Sequence, residues 1–482
     1  MTTTTSPLSD GPQRPSFLAK LLRPVVIIPV TLLTIMLAAV VTFRATRFRG
    51  IPPIDEIVDR ETEGRIDIKD EDNAFTYYEL AWSQLPTTLD DEAISDAVDL
   101  LDTGGDWSDV APAAKSALDS CEMLLVEWKR GTDCDHGVRV QPADAEWYDM
   151  VGTRDSRAIS RLAILKSAKF LDEGCADKAW EWLRALFRFS RHLGNPGSMI
   201  DRVVGSAFYA MGSKSLVRWA ADDRVTVSQI RDAIQELNAI YQMTAPCSLV
   251  LKHEYLALSR VLAQPTALQE TQAFKVAVSD ELEALAGIYL FLAGEPELAE
   301  VLLRHKFANC LSQCDRCRWD RNLAATRDCL FEPTGAEQPS LMNVNSLDLV
   351  LVRSVLARRL GPSLRHYLDL TDREQVLQTA LELCLTAEMF CRQRGRYPET
   401  LEELVPEFIE QIPRDLYGAT PDERMLMARQ NAEDSESDSE RKDFYSGPGL
   451  VIYSRGGNGI DDGGELRRAD IGLKIPIEPC QN

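Results

Sequence analysis

The chain of 482 residues is longer than one hydrophobic core usually supports, and its 45% hydrophobic content is that of a folded protein, which excludes disorder throughout. With 53 Lys and Arg against 75 Asp and Glu, the formal charge of -22 repels phosphate backbones and sets nucleic acid aside as a partner. Eleven cysteines lean towards an oxidising compartment, although a free thiol also serves as a small core residue.

Residues 1–23 begin MTTTTSPLSDGPQ, rich in Thr, Ser, Pro and Gly, and are expected to form a disordered cytoplasmic tail. Residues 24–43, from Pro24 to Phe43, read PVVIIPVTLLTIMLAAVVTF. At about 1.5 Å per residue, an uncharged run of this length spans a hydrocarbon core of about 30 Å and predicts one transmembrane helix. Pro29 is interior, with Thr31 and Thr34 near enough to help satisfy freed backbone groups. A cleaved signal peptide is the competing reading, but the apolar run is long for one, and Arg44, Arg47 and Arg49 follow without a small-x-small cleavage site.

Basic residues vote almost equally on orientation, with Arg14, Lys20 and Arg23 before the run and Arg44, Arg47, Arg49 and Arg60 after it. The cysteine count and the C-terminal resemblance given below place the N-terminus in the cytoplasm and the bulk of the chain outside. Membrane lipid is thus the first expected partner.

Residues 44–72 form a linker, and residues 73–340 an irregular array of helices in antiparallel hairpins. Its helices are predicted around Phe75 to Trp82, then over Asp90–Leu101, Ala111–Lys129, Met199–Ala220, Thr226–Tyr241, Ser248–Leu262, Asp280–Leu292 and Glu295–Ala308. The clearest hairpin runs from Ser156 to Leu193, broken at Gly174. Ile159, Leu162, Leu165, Ala168 and Leu171 make one apolar face, and Trp180, Leu183, Leu186, Phe187 and Phe189 the other. It loosely resembles a tetratricopeptide unit, without a continuing 34-residue period.

Residues 331–339 read as a connector. Within residues 341–394, a helical connection, a long helix is predicted over Thr371–Arg394, opened by a capping box between Thr371 and Glu374. Gly449–Arg455, GLVIYSR, predicts a strand, and residues 432–442, AEDSESDSERK, a solvated acidic insertion.

Several constellations with chemical promise fail on their spacing. Cys310, Cys314 and Cys317, with Cys329 beyond them, are read as disulfide partners, core thiols, zinc ligands or cluster ligands. His253 and Glu254 begin a zinc-protease pattern that Ala257 leaves without its second ligand. Cys134 is paired on paper with Cys121, ahead of a thiol and base reading for Cys134, Asp135 and His136. No nucleophile elbow or phosphate loop occurs, and no catalytic residue is assigned.

Residues 395–482 carry a family resemblance. Tyr397, Pro398, Leu401, Leu404, Pro406, Ile412, Pro413, Asp415 and Gly418, then Ser454, Gly456, Gly459, Gly463, Gly464, Glu465, Ala469, Asp470 and Ile471, stand in the order and spacing of a recognisable pattern. The segment resembles the periplasmic end of the major pseudopilin of type II secretion systems. Leu416 and Tyr417 replace that family's Pro and Trp, the stretch from Pro421 to Asp443 is longer and more acidic, and the N-terminus lacks a prepilin-peptidase pattern. Processing into a pilus subunit is therefore not expected.

The family's loop often binds calcium. Here Asn458, Asp461, Asp462 and Asp470 offer hard oxygens on a Gly-rich turn, while Arg468 stands where another acid is usual, so calcium and a metal-free hydrogen-bonded turn are the two readings.

The fold expected is mainly α: a transmembrane helix, a helical array, and a small α+β pseudopilin-like segment. The function expected is a membrane-anchored interaction or scaffold protein of the cell envelope, with a protein partner there. The alternatives are an envelope hydrolase with a site assembled between helices, and a calcium-responsive protein using the terminal loop.

Overall fold

Residues 17–51, 53–58, 66–141, 153–195, 197–264, 292–321, 354–430, 448–466 and 469–476 are described in a computed structural model of the protein. Helix α1 (Phe17–Phe48) is 32 residues long and overruns the uncharged segment at both ends. Arg44 and Arg47 are good helix formers, so the helix does not stop where the apolar residues do. It ends just before Gly50, whose φ of +81° suits a glycine. The hydroxyl of Thr34 donates to the Val30 carbonyl at 2.8 Å, one turn from Pro29. Large apolar side chains from Val30 to Phe43, Val40 apart, are 46–62% exposed, and none of Pro29–Phe48 is fully buried against protein. The helix is long and apolar enough to cross a membrane.

The body is mainly helical and is organised around three cores. The first is built by α2 (Ala74–Ser83), α3 (Asp91–Asp102), α4 (Pro112–Ser120), α5 (Glu122–Thr132), α6 (Thr153–Asp172) and one face of α7 (Ala176–His192). Aromatic rings fill it. Tyr78 meets Phe189 edge-on at 4.7 Å, and Trp128 stacks on Trp182 at 6.4 Å. The expected single helix over Ala111–Lys129 is divided at Cys121, which lies between α4 and α5 with φ −98° and ψ 6°. No Gly or Pro announces this break, which leaves Leu118, Cys121 and Leu125 all fully buried in one core.

A second core is formed by α10 (Cys247–Ala263), α11 (Glu295–Leu311), the short α12 (Val355–Leu360) and the start of α13 (Leu364–Arg394), with Phe48 of α1 packed against it. The third combines α7, α8 (Met199–Ala221), α9 (Val227–Gln242), the rest of α13 and a small sheet. Helix α13 is therefore a spine shared by two cores, where the sequence suggested a connection.

Its start also differs from expectation. It begins seven residues before Thr371, whose hydroxyl donates to the Leu368 carbonyl at 2.8 Å, and Glu374 is buried among arginines. No capping box exists there, because both residues are inside the helix.

The C-terminal sheet is antiparallel in the order β1 (Leu426–Gln430), β2 (Gly449–Ser454), β3 (Ile471–Pro476). Met427 faces Ile452, and Ile452 faces Leu473. Every residue of the central strand is buried, and Leu450, Ile452, Leu473 and Ile475 pack into the core that α13 crosses. The expected helix Asp280–Leu292 up to residue 291, the connector 331–339 and the acidic insertion 432–442 lie outside the described residues.

Candidate functional site

The end of α1 is not followed by a free linker. Gly294, in the left-handed region with φ +64°, turns the chain into α11 so that Glu295 begins the helix. A Cβ on Gly294 would lie 2.5 Å from the Arg44 guanidinium, so the glycine also leaves room for the end of α1. Glu295, 2% exposed, accepts the Ser354 hydroxyl at 2.7 Å and the Leu356 amide at 3.0 Å. Its other oxygen pairs with the Arg47 guanidinium, which also donates to the Ala293 carbonyl at 3.0 Å. Arg44 pairs with Glu297 at 2.6 Å. One buried carboxylate thus ties three separate stretches of chain at the place where the apolar helix ends.

A second arginine–glutamate cluster lies deep inside, where the three cores meet. Glu374 of α13 pairs with Arg191 of α7 and with Arg202 of α8, the latter at 2.7 Å, and accepts the Ser206 hydroxyl. The Arg191 side chain is fully buried, lies over the Tyr209 ring at 4.5 Å and donates to Thr244 at 3.0 Å. Burial pushes the Glu374 carboxyl up, but Arg191 and Arg202 outweigh it and hold it below its ordinary value. Beside this cluster, His192 shares a 2.7 Å hydrogen bond with the Tyr78 hydroxyl, and burial lowers its pKa to about 3, so the ring is neutral.

The residues singled out by sequence take simpler roles. Glu254 accepts the Met199 amide at 3.1 Å, at the first turn of α8. All nine described cysteines are free, so the pairing of Cys121 with Cys134 is not made. Cys121 is buried inside a core and Cys134 lies partly exposed after α5. Cys310 and Cys314 are thiols of the second core, their pKa values pushed up by burial, while Cys317 is exposed. Cys329 and Arg468 lie outside the described residues.

The four oxygen-bearing residues of the terminal loop are each taken up by hydrogen bonds within the loop and to the sheet. Asp470 accepts the Gly464 amide at 2.8 Å, and Asp461 accepts the Tyr453 hydroxyl and the Gly463 amide, each at 2.9 Å. The Asn458 amide group donates to Asp462 at 3.1 Å, while its oxygen accepts the Ile460 amide at 3.0 Å. Gly456, with φ +65°, passes so close to the Ala469 carbonyl that a Cβ would stand 1.8 Å from it. Asp415, fully buried, closes the loop onto the sheet by accepting the Tyr417 amide at 2.9 Å, the Ser454 hydroxyl and the Arg455 amide at 3.2 Å. Among the described residues, no group of three or more His, Cys, Asp or Glu is arranged to hold a metal ion.

A cavity of about 370 Å³ opens between Trp319, the middle of α13 at Val376 and Thr379, and the segment carrying Pro413, Leu416 and Met425. Its wall carries one carboxylate, Asp320, together with Cys317 and Arg414, and no histidine.

Sequence reasoning missed both arginine–glutamate clusters. Glu295 and Arg47 are 248 positions apart, and Glu374 looked like a cap. The only local signal was the presence of Arg191 beside Phe187 and Phe189 on an apolar helix. Compared with known proteins, the chain matches no family model, no curated protein and no solved structure.

Proposed function

We propose that the protein is a membrane-anchored scaffold of the cell envelope: α1 crosses the bilayer, the helical body offers an interaction surface to a protein partner, and the sheet forms a small cap. The observation that carries this reading is an apolar helix exposed on all sides whose last turn is fixed to the body through buried Glu295. A helix of that composition is stable in lipid and unstable in water.

Alkaline carbonate extraction of membranes tests the anchor, with the protein expected to remain in the pellet. Chemical crosslinking followed by pull-down should then recover one consistent partner; a soluble, partnerless monomer overturns the proposal.

We place the bulk of the chain outside the cytoplasm on the pseudopilin resemblance alone, because the described cysteines are free thiols and no disulfide there speaks for an oxidising compartment. Exposed Cys317 should react with a membrane-impermeant thiol reagent on intact cells; reaction only after lysis reverses the orientation.

Calcium at the terminal loop is the second reading, motivated by the oxygen-bearing side chains of Asn458, Asp461, Asp462 and Asp470 on one Gly-rich loop. It requires the cation to displace the amide and hydroxyl donors that hold these oxygens. A melting temperature raised by calcium relative to chelator supports it, and equal melting retains the hydrogen-bonded turn.

A further inference from the structure

The short helix α12 carries an exposed basic and apolar face beside the buried Glu295 that holds the end of α1. Helix α12 buries Leu356, Ala357 and Leu360, and presents Val355, Arg358 and Arg359 outward at the i, i+3, i+4 spacing of a single helix face. Val355 is 41% exposed. Neither arginine has an ion-pair partner among the described residues. Leu292, 43% exposed, completes the patch.

Its apolar part adjoins the end of α1, and the arginines follow on the next turn of α12. Val355 stands between Ser354 and Leu356, which both donate to Glu295, and Leu292 precedes Ala293, whose carbonyl accepts from Arg47. Depth follows from the helix itself. Phe43 is the last residue before the first charge, and Arg47 lies about 6 Å further along the axis. The polar layer on each side of a bilayer is about 5–8 Å thick, so the Arg47 contacts sit at headgroup level.

Resting on the anchor reading, we infer that Leu292, Val355, Arg358 and Arg359 form a second membrane contact that binds anionic phospholipid headgroups. The two guanidiniums pair with phosphates and the two apolar side chains enter the boundary of the acyl region. The patch meets the anchor through Leu292 and Val355, and its positive charge complements anionic headgroups that the net charge of -22 would otherwise repel. The body is then held in one orientation on the membrane.

The test uses the full-length protein in vesicles containing a lipid with a nitroxide-labelled headgroup. Fluorescent dansylalanine replaces Val355 in one sample and Met123, 76% exposed on α5, in another. In phosphatidylcholine mixed with phosphatidylglycerol, position 355 should be quenched and position 123 not. Quenching at 355 should weaken in phosphatidylcholine alone and in high salt. Arg358→Glu combined with Arg359→Glu should lower the docked-to-undocked ratio at least about twenty-five-fold, each lost arginine accounting for about five-fold.

Both arginines are exposed, so the double variant should melt with the parent. The salt response of the unaltered chain tests the same claim independently of folding. Equal quenching at the two positions, or indifference to phosphatidylglycerol and salt, overturns the inference. Carbonate extraction of the same vesicles separates the two failures. A protein retained but unquenched at 355 defeats the lipid contact alone, and a protein released defeats the anchor with it.

Discussion

Two clusters of the same chemistry sit in different surroundings. Glu374 with Arg191 and Arg202 is sealed where three cores meet, and Glu295 with Arg47 joins the end of α1 to the body. In the first, two buried arginines share one carboxylate as their only charged partner among the described residues, with neutral contacts to Thr244 and Ser206 beside it. In the second, Arg47 keeps 13% side-chain exposure and a carbonyl partner, and Glu295 keeps two neutral donors. Identical ion pairs therefore serve stability in one place and position in the other, and burial decides which.

Breaking the interior cluster should have the largest effect. Glu374→Ala strands two buried guanidiniums and is expected to cost about 3–5 kcal/mol in denaturant unfolding. A loss no larger than that from altering Glu295 would erase the distinction.

Acid probes the same interior without mutation. His192 titrates near 6.5 when unfolded and near 3 when folded, so between those values the unfolded chain binds the extra proton and stability falls as pH falls. The His192 share of this loss should be about 2–3 kcal/mol between roughly pH 6 and pH 4, at about 1.4 kcal/mol per pH unit. Asp102 opposes it over the same window, because burial raises its carboxyl to about 6. His192→Gln should remove the His192 share from the profile.

At the end of α1, Glu295→Gln should cost about 1.5–2 kcal/mol, the low part of the range for a bond to a charged group, since the amide retains an acceptor. Amide exchange should quicken around residues 292–297 and 354–357, with the rest of the chain protected as before. The smallest effect is expected for Arg44→Ala. Its pair with Glu297 is 35% and 51% exposed, and melting should move by less than about 1 kcal/mol equivalent.

The helices of the body were legible because their apolar residues recur at helical spacing between Gly and Pro breaks, as at Gly174. The division at Cys121 was not, because its cause is tertiary: Leu118 and Leu125 are drawn into one core. Among the strands, β2 declared itself as an unbroken apolar run buried throughout. Strand β1, LMARQ, is short and largely half-exposed, without β-branched residues, and β3 carries Gly472, Lys474 and Pro476, so both are strands because β2 offers them hydrogen bonds. The terminal loop could be found because its four residues are near neighbours in sequence. The Glu295 and Glu374 clusters could not, since their partners arrive from distant helices and each glutamate alone looks like a solvated surface residue.

The distribution of tryptophan among the cores has a practical consequence. Trp128 and Trp182 lie in the first core and Trp219 in the third, while the described residues of the second, around Leu251, Leu302 and Phe307, include none. Emission from the described tryptophans therefore follows those two cores and not the one packed against the end of α1. Calorimetry or amide exchange registers loosening of that core directly, where these indoles do not.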